Sequence, residues 1–296
     1  MKPEISIIIP TVSYSNRKEQ IHRIFAALES QKTSVLFEVI IVDNSFRLNE
    51  NQFNQVPVFA KIIHEPGIGL SRARNAGVRV AVGDIIAFLD DDVVPMTTWI
   101  KAIIQTHKLQ KVLCVGGPVI LRDRESIRFP RWFSDYFLRF VVPPQFPEST
   151  GVVKAPYYII GANMSFKRNI FDRYGFFDTN LGRVGKCLLS GEDMEFMMRV
   201  PPESIFYEPL AVVSTRITSR RLTRRYFARR IFWQAVSDAR IFKKHGFNQY
   251  YDRSELFFST DFSRKFFTAL RYGLIFQAFC IIIRIMTFKI VSFFNL

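Results

Sequence analysis

Residues 83–95 read GDIIAFLDDDVVP. Ile85 to Leu89 is an uninterrupted apolar run, preceded by Gly83 and Asp84 and followed by Asp90, Asp91 and Asp92. A short continuous run between turn signals predicts a strand, Asp84 to Leu89, covered on both faces. Three adjacent carboxylates at a strand end repel one another unless a cation lies between them. One reading is a solvated acidic turn. The sharper one is a site for Mg²⁺ or Mn²⁺, ions held by one or two carboxylates together with substrate phosphates.

Outward from this stretch the same grammar repeats. Ile5 to Ile9, Glu38 to Val42, Phe59 to Ile63 and Val112 to Val115 read as strands, and Lys18 to Gln31, Ser71 to Val82 and Thr97 to Lys111 as helices between them. That alternation predicts an α/β fold with a mostly parallel, Rossmann-like central sheet. Ligands of such sheets collect at the carboxyl ends of the strands. Here those ends are Pro10-Thr11, Asp43-Asn44 and Asp90-Asp91-Asp92. The first strand-to-helix turn, PTVSYSNR, lacks the glycine triplet of a dehydrogenase-type dinucleotide fold, and GIGLSR at 67–72 is only a lone GxG. No GxxxxGK[ST] occurs, which excludes a P-loop NTPase.

Composition narrows the class further. The chain has 296 residues, 48% of them hydrophobic, which excludes a disordered tail or a disulfide mini-protein. Cys114, Cys187 and Cys280 are far apart and odd in number, so a reducing, cytosolic setting is expected. The opening MKPEISIIIP reads as a first strand rather than a signal peptide. Lys and Arg outnumber Asp and Glu by 41 to 26, and residues 201–296 hold 16 of the former against 6 of the latter. A basic segment of this kind attracts phosphates, on nucleic acid, a membrane surface or a small molecule.

Beyond residue 118 the pattern loosens. Residues 126–158, rich in Pro and aromatics, read as an irregular insertion or lid, with Trp132, Phe133, Tyr136 and Phe137 more in keeping with core than with a sugar-stacking platform. Regular structure is expected again over Tyr157 to Phe166, Glu192 to Arg199 and Ile205 to Val213, and a largely helical region from Arg220 onward.

Read together, SIIIPT, VIIVDNS, GLSRARNAG, GDIIAFLDDDVVP, GANMSFKR and GEDMEF, in that order over residues 4–245, resemble the family 2 glycosyltransferases. The resemblance implies the GT-A nucleotide-sugar-binding fold and transfer of a sugar from a nucleotide diphosphate donor (UDP-, GDP- or dTDP-linked) to an acceptor hydroxyl, with inversion. It implies a saccharide or lipid-linked acceptor and a role in cell-surface polysaccharide synthesis. It also implies roles for individual residues. Pro10 and Thr11 would line the nucleotide pocket, Asp43 would bond the base, and Arg72, Arg74 and Asn75 would border base and ribose. Asp90 and Asp91 would face the donor and Asp92 would bind the metal. Gly161, Ala162 and Asn163 would face the transferred sugar and acceptor. Glu192 and Asp193 match the acidic pair, with Asp193 as general base. The chemistry calls for such a division: charge on the leaving diphosphate must be neutralised, and a base must take the acceptor proton.

One departure stands out. The family often has a His a short way after the acidic pair, and here Thr215 falls at that position. Thr is a poor metal ligand, so either metal is held more weakly or Arg216 and its basic neighbours stabilise the leaving group. The alternative function it motivates is a catalytically weak, membrane-associated nucleotide-sugar-binding protein. His22, His64, His107 and His245 all read as structural or solvent-facing.

The C-terminal third has competing readings. Arg220 to Lys244 interleaves Arg with aromatics, which suits single-stranded nucleic acid, a solvated helix face, or a phosphate-attracting surface facing a membrane. No nucleic-acid module accompanies it, and the last reading is preferred. The apolar core of the tail, Ala278 to Ile283, is much shorter than the ~20 residues of a spanning helix, so an interfacial helix is expected, with Arg264, Lys265, Arg271, Arg284 and Lys289 reaching headgroups. The expected organisation is a catalytic domain over 1–215 and a basic helical extension over 216–296, peripheral on the inner, cytoplasmic face of the membrane.

Overall fold

The computed structural model describes residues 2–47, 56–138, 140–141, 149–154, 158–246 and 275–294. Arg264, Lys265, Arg271 and the Pro-rich stretch 142–148 lie outside them. The strands are β1 (Ile5–Thr11), β2 (Phe37–Asp43), β3 (Ala60–His64), β4 (Ile85–Leu89), β5 (Val93–Pro95), β6 (Cys114–Gly116), β7 (Val119–Leu121), β8 (Gly151–Val152), β9 (Asn163–Lys167), β10 (Ile205–Tyr207) and β11 (Val213–Thr215). The helices are α1 (Tyr14–Glu29), α2 (Leu70–Val80), α3 (Trp99–His107), α4 (Asp135–Leu138), α5 (Asn169–Tyr174), α6 (Glu192–Met198), α7 (Arg224–His245) and α8 (Ile275–Phe294).

Eight strands form the main sheet in the order β3-β2-β1-β4-β9-β6-β10-β8. The first four are parallel; β9 runs antiparallel to both β4 and β6. Successive side chains of a strand point to opposite faces, and both faces are apolar. Ile5, Ile7, Ile9, Val39 and Ile41 enter one core with α1 and α3, while Ile8, Ile40, Val42 and Phe88 enter a second, aromatic one with Phe166, Phe171, Phe177 and Phe196. This is why the strands are continuous hydrophobic runs in the sequence. Helix α2 lies close on β1 because Gly77 faces Ile8, where a Cβ would collide.

A second sheet has the order β5-β11-β7. Ile205 to Val213, expected as one strand, is two: β10 joins the main sheet and β11 the small one. Pro209 lies between them, and a proline cannot donate to a ladder. The Val93–Pro95 stretch after the acidic triplet is β5, antiparallel to β11, so the triplet is a tight connection pinned at both ends. Of the regular structure expected over Tyr157 to Phe166, Tyr157 lies outside the described residues and the strand found is β9, from Asn163.

The two long C-terminal helices pack on each other, and Trp132, Phe133, Tyr136 and Phe137 pack with Phe227 and Phe276 as core. Arg284 corrects the tail reading. Its side chain is buried and pairs with buried Asp238 of α7 at 2.8 Å rather than reaching a headgroup. The opposite face of α8 exposes Ile275, Phe279, Ile282, Met286, Ile290 and Phe293. By length and composition Ile275–Phe293 is long and apolar enough to cross a membrane, although a third of it is buried within the protein. The longest uninterrupted apolar run understated this, because the helix as a whole tolerates Gln277, Arg284 and Lys289.

Candidate active site

A cavity of about 850 Å³ opens at the carboxyl ends of β1, β2 and β4, where the topology of an open α/β sheet places ligands. The register sets its floor, since Thr11 pairs with Asp43 and Leu89 with Asn163, bringing the strand ends level. Pro10, Thr11, Arg74, Asp90, Asp91, Asp92, Gly161, Ala162, Glu192 and Asp193 all line it, although they are spread over most of the chain.

Each carboxylate of the triplet has its own partner. Asp90 Oδ1 accepts from Arg74 Nη2 at 3.2 Å. Asp91 Oδ2 accepts from Thr11 Oγ1 at 2.7 Å, with Arg17 at 3.6 Å. Asp92 Oδ2 accepts from Arg221 Nη2 at 3.0 Å. Burial pushes Asp91 up to about 6, against the opposing pull of Thr11 and Arg17. The second oxygens of the triplet carry no hydrogen bond among the described residues. That donor set fits a hard cation bound jointly by a carboxylate and a diphosphate, with Asp92 nearest the basic wall. Among the described residues no group of three or more His, Cys, Asp or Glu could cage a metal by protein alone.

The acidic pair begins α6, and one guanidinium ties it to the triplet. Arg74 is 1% exposed; its Nη1 donates to Glu192 Oε1 at 2.6 Å. Burial works against the Arg74 charge, but Glu192, Asp90 and Asp193 outweigh it and raise its pKa. The guanidinium also lies 5.9 and 5.8 Å from the Phe88 and Phe177 ring centroids. Gly161 leaves it room, because a Cβ there would displace the guanidinium. Asp193 Oδ2 accepts from the Gly161 N–H at 2.6 Å and Oδ1 from the Met194 N–H at 2.8 Å. Burial first, then the Glu192 charge, push Asp193 up to about 6. Glu192 Oε2 is buried without a hydrogen-bond partner among the described residues.

Four sequence-expected residues lie off the cavity wall. Asp43 uses Oδ2 and Oδ1 to hold the N–H groups of Tyr14 and Ser45, both at 2.8 Å, and so shapes the loop rather than facing the cavity. Its neighbours Asn44, Ser45 and Phe46 line the cavity instead. Asn75 exchanges two hydrogen bonds with the Phe177 backbone, and Arg72 is exposed outside the lining. Asn163 is 1% exposed and spends its amide on Trp99, Pro118 and Ala211. All four sit in motif segments that do reach the site, and only their side-chain direction was hidden.

Sequence reading also missed residues. Thr215 donates to the Asp92 backbone carbonyl at 3.2 Å, and Arg221, not Arg216, meets the Asp92 carboxylate. Arg216 instead pairs at the surface with Asp123. Tyr158, Arg183, Ser190, Arg230 and Gln234 join the cavity from segments with no clear motif. The cluster of arginines after residue 215 was a signal for Arg230 and Gln234 alone; Tyr158, Arg183 and Ser190 had none. None of the four histidines lines the cavity. His107 is buried on Ser165 and held down to about 3 by desolvation.

The model of glycosyl transferase family 2 matches residues 6–175, more than half of the chain. The chain is 27% identical over 247 residues to the glucosyl-dolichyl phosphate glucuronosyltransferase of Haloferax volcanii, covering 79% of this chain and 76% of that protein. It is 26% identical over 221 residues to the succinoglycan biosynthesis protein ExoM of Rhizobium meliloti, covering 71% and 67%. Against the chondroitin synthase of Pasteurella multocida it is 24% identical over 235 residues but spans only 23% of that protein. Among solved structures, GalNAc-T7 with UDP, GalNAc and Mn²⁺ superposes with a TM-score of 0.54 at 13% identity, over 84% of this chain and 56% of the other, a likeness of fold alone. The order of the strands, the cavity at their carboxyl ends and the family match converge: this chain belongs to glycosyl transferase family 2 and has the GT-A fold.

Proposed function

We propose that the protein transfers a sugar, with inversion, from a nucleotide diphosphate donor to an acceptor hydroxyl of a saccharide or lipid-linked glycan. The observation that supports this most is the bridging of the two acid stations by Arg74, which joins Asp90 at the β4 end to Glu192 at the start of α6 in one cavity. Asp193, raised to about 6, is a base matched to neutral pH: ionised at pH 7 and basic enough to take a hydroxyl proton as the new bond forms. Its Oδ2 is aimed by the Gly161 N–H. Glu192 Oε2 lacks a donor, and a sugar hydroxyl supplies one.

At the donor end Arg221 and Arg17 add positive charge beside Asp92 and Asp91. Mg²⁺ or Mn²⁺ bound there supplies further neutralisation of the leaving diphosphate. Arg221 fills with charge the neighbourhood that Thr215 leaves neutral, which favours an active enzyme over a binding-only protein. Residues 1–215 carry the catalytic stations, and 216–296 form the extension. The exposed apolar stripe of α8, with exposed Arg224 of α7 over the Phe276 ring, suits peripheral attachment to the anionic inner face of a membrane. Release of nucleoside diphosphate from a panel of UDP-, GDP- and dTDP-sugars, with and without Mn²⁺, tests the reading. Turnover of none of them, with nucleotide binding intact, contradicts it.

A further inference from the structure

Arg230, half-buried in the cavity wall, differs from Arg74 and Arg221. Arg74 pairs with Glu192 and Asp90, and Arg221 with Asp92. Among the described residues Arg230 Nη1 meets only neutral acceptors, Gln234 Oε1 at 2.8 Å and Ser190 Oγ at 3.2 Å. Arg183 lines the same cavity, and among the described residues neither arginine forms an ion pair with a carboxylate. Burial and the nearby charge of Arg183 hold the Arg230 guanidinium below its ordinary pKa. The Asp238 carboxylate behind Gln234 offsets this only in part, and an anion held by Arg230 together with the exposed Arg183 relieves the remainder.

The orientation of Arg230 is built from behind. Gln234 Nε2 donates to Asp238 Oδ1 at 2.8 Å, and Asp238 Oδ2 accepts from Arg284 Nη2 of α8 at 2.8 Å. Asp238 therefore fixes the Gln234 amide with its oxygen toward Arg230, and the remaining guanidinium donors are left for a ligand. Position says which ligand. Ser190, which holds Arg230, is three residues before Asp193, and the Tyr158 hydroxyl feels the charges of both Asp193 and Arg230. An anion on Arg230 thus sits beside the base, where an acceptor enters, whereas the donor end is the triplet with Arg17 and Arg221. Phe140 lies 5.9 Å from the Arg230 guanidinium, and Val141, Leu188 and Leu189 continue an apolar wall.

We propose that Arg183 and Arg230 form a binding site for a phosphate carried by the acceptor, next to the hydroxyl that receives the sugar; this rests on the glycosyl-transfer reading above. The apolar wall suits an alkyl chain attached to that phosphate, while a sugar phosphate presents the same oxyanion without the chain.

The test is calorimetric titration of the full-length protein, with UDP and Mn²⁺ present, using octyl phosphate, octanol and glucose 1-phosphate. Wild type, Arg183→Gln, Arg230→Gln and Arg230→Lys are compared. The expected result is binding of octyl phosphate but not octanol, weakened about 10- to 100-fold in each Gln variant, the worth of a charge-assisted hydrogen bond, and partly kept in Arg230→Lys. Glucose 1-phosphate binding with the same arginine dependence assigns the site to the phosphate alone; its failure beside octyl phosphate assigns a lipid phosphate. Binding of neither phosphate to the wild type, or binding indifferent to both arginines, overturns the proposal. So does a parallel loss of UDP affinity in the Gln variants, which would give these arginines to the donor. A separate titration with UDP, GDP and dTDP reads the underlying function: no nucleotide binding by the wild type sinks that reading, whatever the arginines do.

Discussion

The Arg74 guanidinium meets the Glu192 carboxylate at 2.6 Å across 118 residues of sequence, with both side chains almost wholly buried. Such a pair is weak evidence of net stabilisation, but removal of one partner strands the other charge, at a cost of about 3–5 kcal/mol. Arg74→Ala is therefore expected to lower Tm by roughly 6–20 °C in thermal denaturation. Arg74→Lys should retain part of the stability yet lose activity, because one ammonium cannot reproduce a fork that serves Glu192 and Asp90 together. An unchanged Tm in Arg74→Ala would mean that the two stations are held by something else.

The raised pKa of Asp193 gives opposite signs for activity and stability. As a base it works only when ionised, so kcat should rise with pH through about 6. Folded Asp193 holds its proton more tightly than the unfolded chain does, so this group favours folding below the unfolded value of about 4 and loses that advantage as pH rises through about 6. Asp91 adds a loss of the same sign in the same window. Measured kcat and Tm against pH, compared with Asp91→Asn, separate the two: that variant should flatten part of the Tm slope and leave the kcat limb in place.

Asp92 and Arg221 should part company in donor binding. Asp92→Asn removes the carboxylate charge expected to hold the cation, and metal-stimulated binding of nucleotide-sugar should disappear. Arg221→Gln frees that carboxylate, so metal affinity should hold or increase while turnover drops. Titration of Mn²⁺ against each variant in the presence of UDP checks this. Unchanged metal dependence in Asp92→Asn would move the cation to Asp90 or Asp91.

The long strands β1, β2 and β4 were legible because each is a continuous apolar run with polar residues at its carboxyl end, and burial on both faces writes itself into the sequence; α2 was legible from its place between two such runs. The three-residue strands β5, β7 and β11 were not, since three residues carry no period. The motif segments converge on strand ends that line one cavity, but Asp43 and Asn163 show the limit. Whether a polar side chain faces the cavity or caps a backbone behind it depends on partners such as Tyr14 and Trp99 from other elements. Arg284 was misread for the same reason: its counter-ion, Asp238, lies 46 residues away on α7.

The tail offers a contrast between two faces of one helix. Arg284→Leu leaves Asp238 buried without its cation and should cost about 3–5 kcal/mol, seen as a lower Tm. Phe279→Glu with Ile282→Glu changes only exposed residues and should leave Tm nearly unchanged, while reducing co-sedimentation with anionic vesicles. Binding by the wild type should weaken with salt, since each basic residue near such a surface contributes about 1 kcal/mol that is screened. Extraction only by detergent would indicate a spanning helix instead, and indifference of the double variant to vesicles would leave the stripe without a membrane role.

Asp193 carries the central claim, and single-turnover kinetics of Asp193→Asn on the preferred nucleotide-sugar, alongside its donor affinity by calorimetry, test it most directly. The expected result is a fall in turnover of about 10²- to 10⁴-fold, the usual worth of a positioned general base, with donor affinity near that of the wild type. Turnover within a few-fold of the wild type, or loss of donor binding in place of turnover, would contradict it.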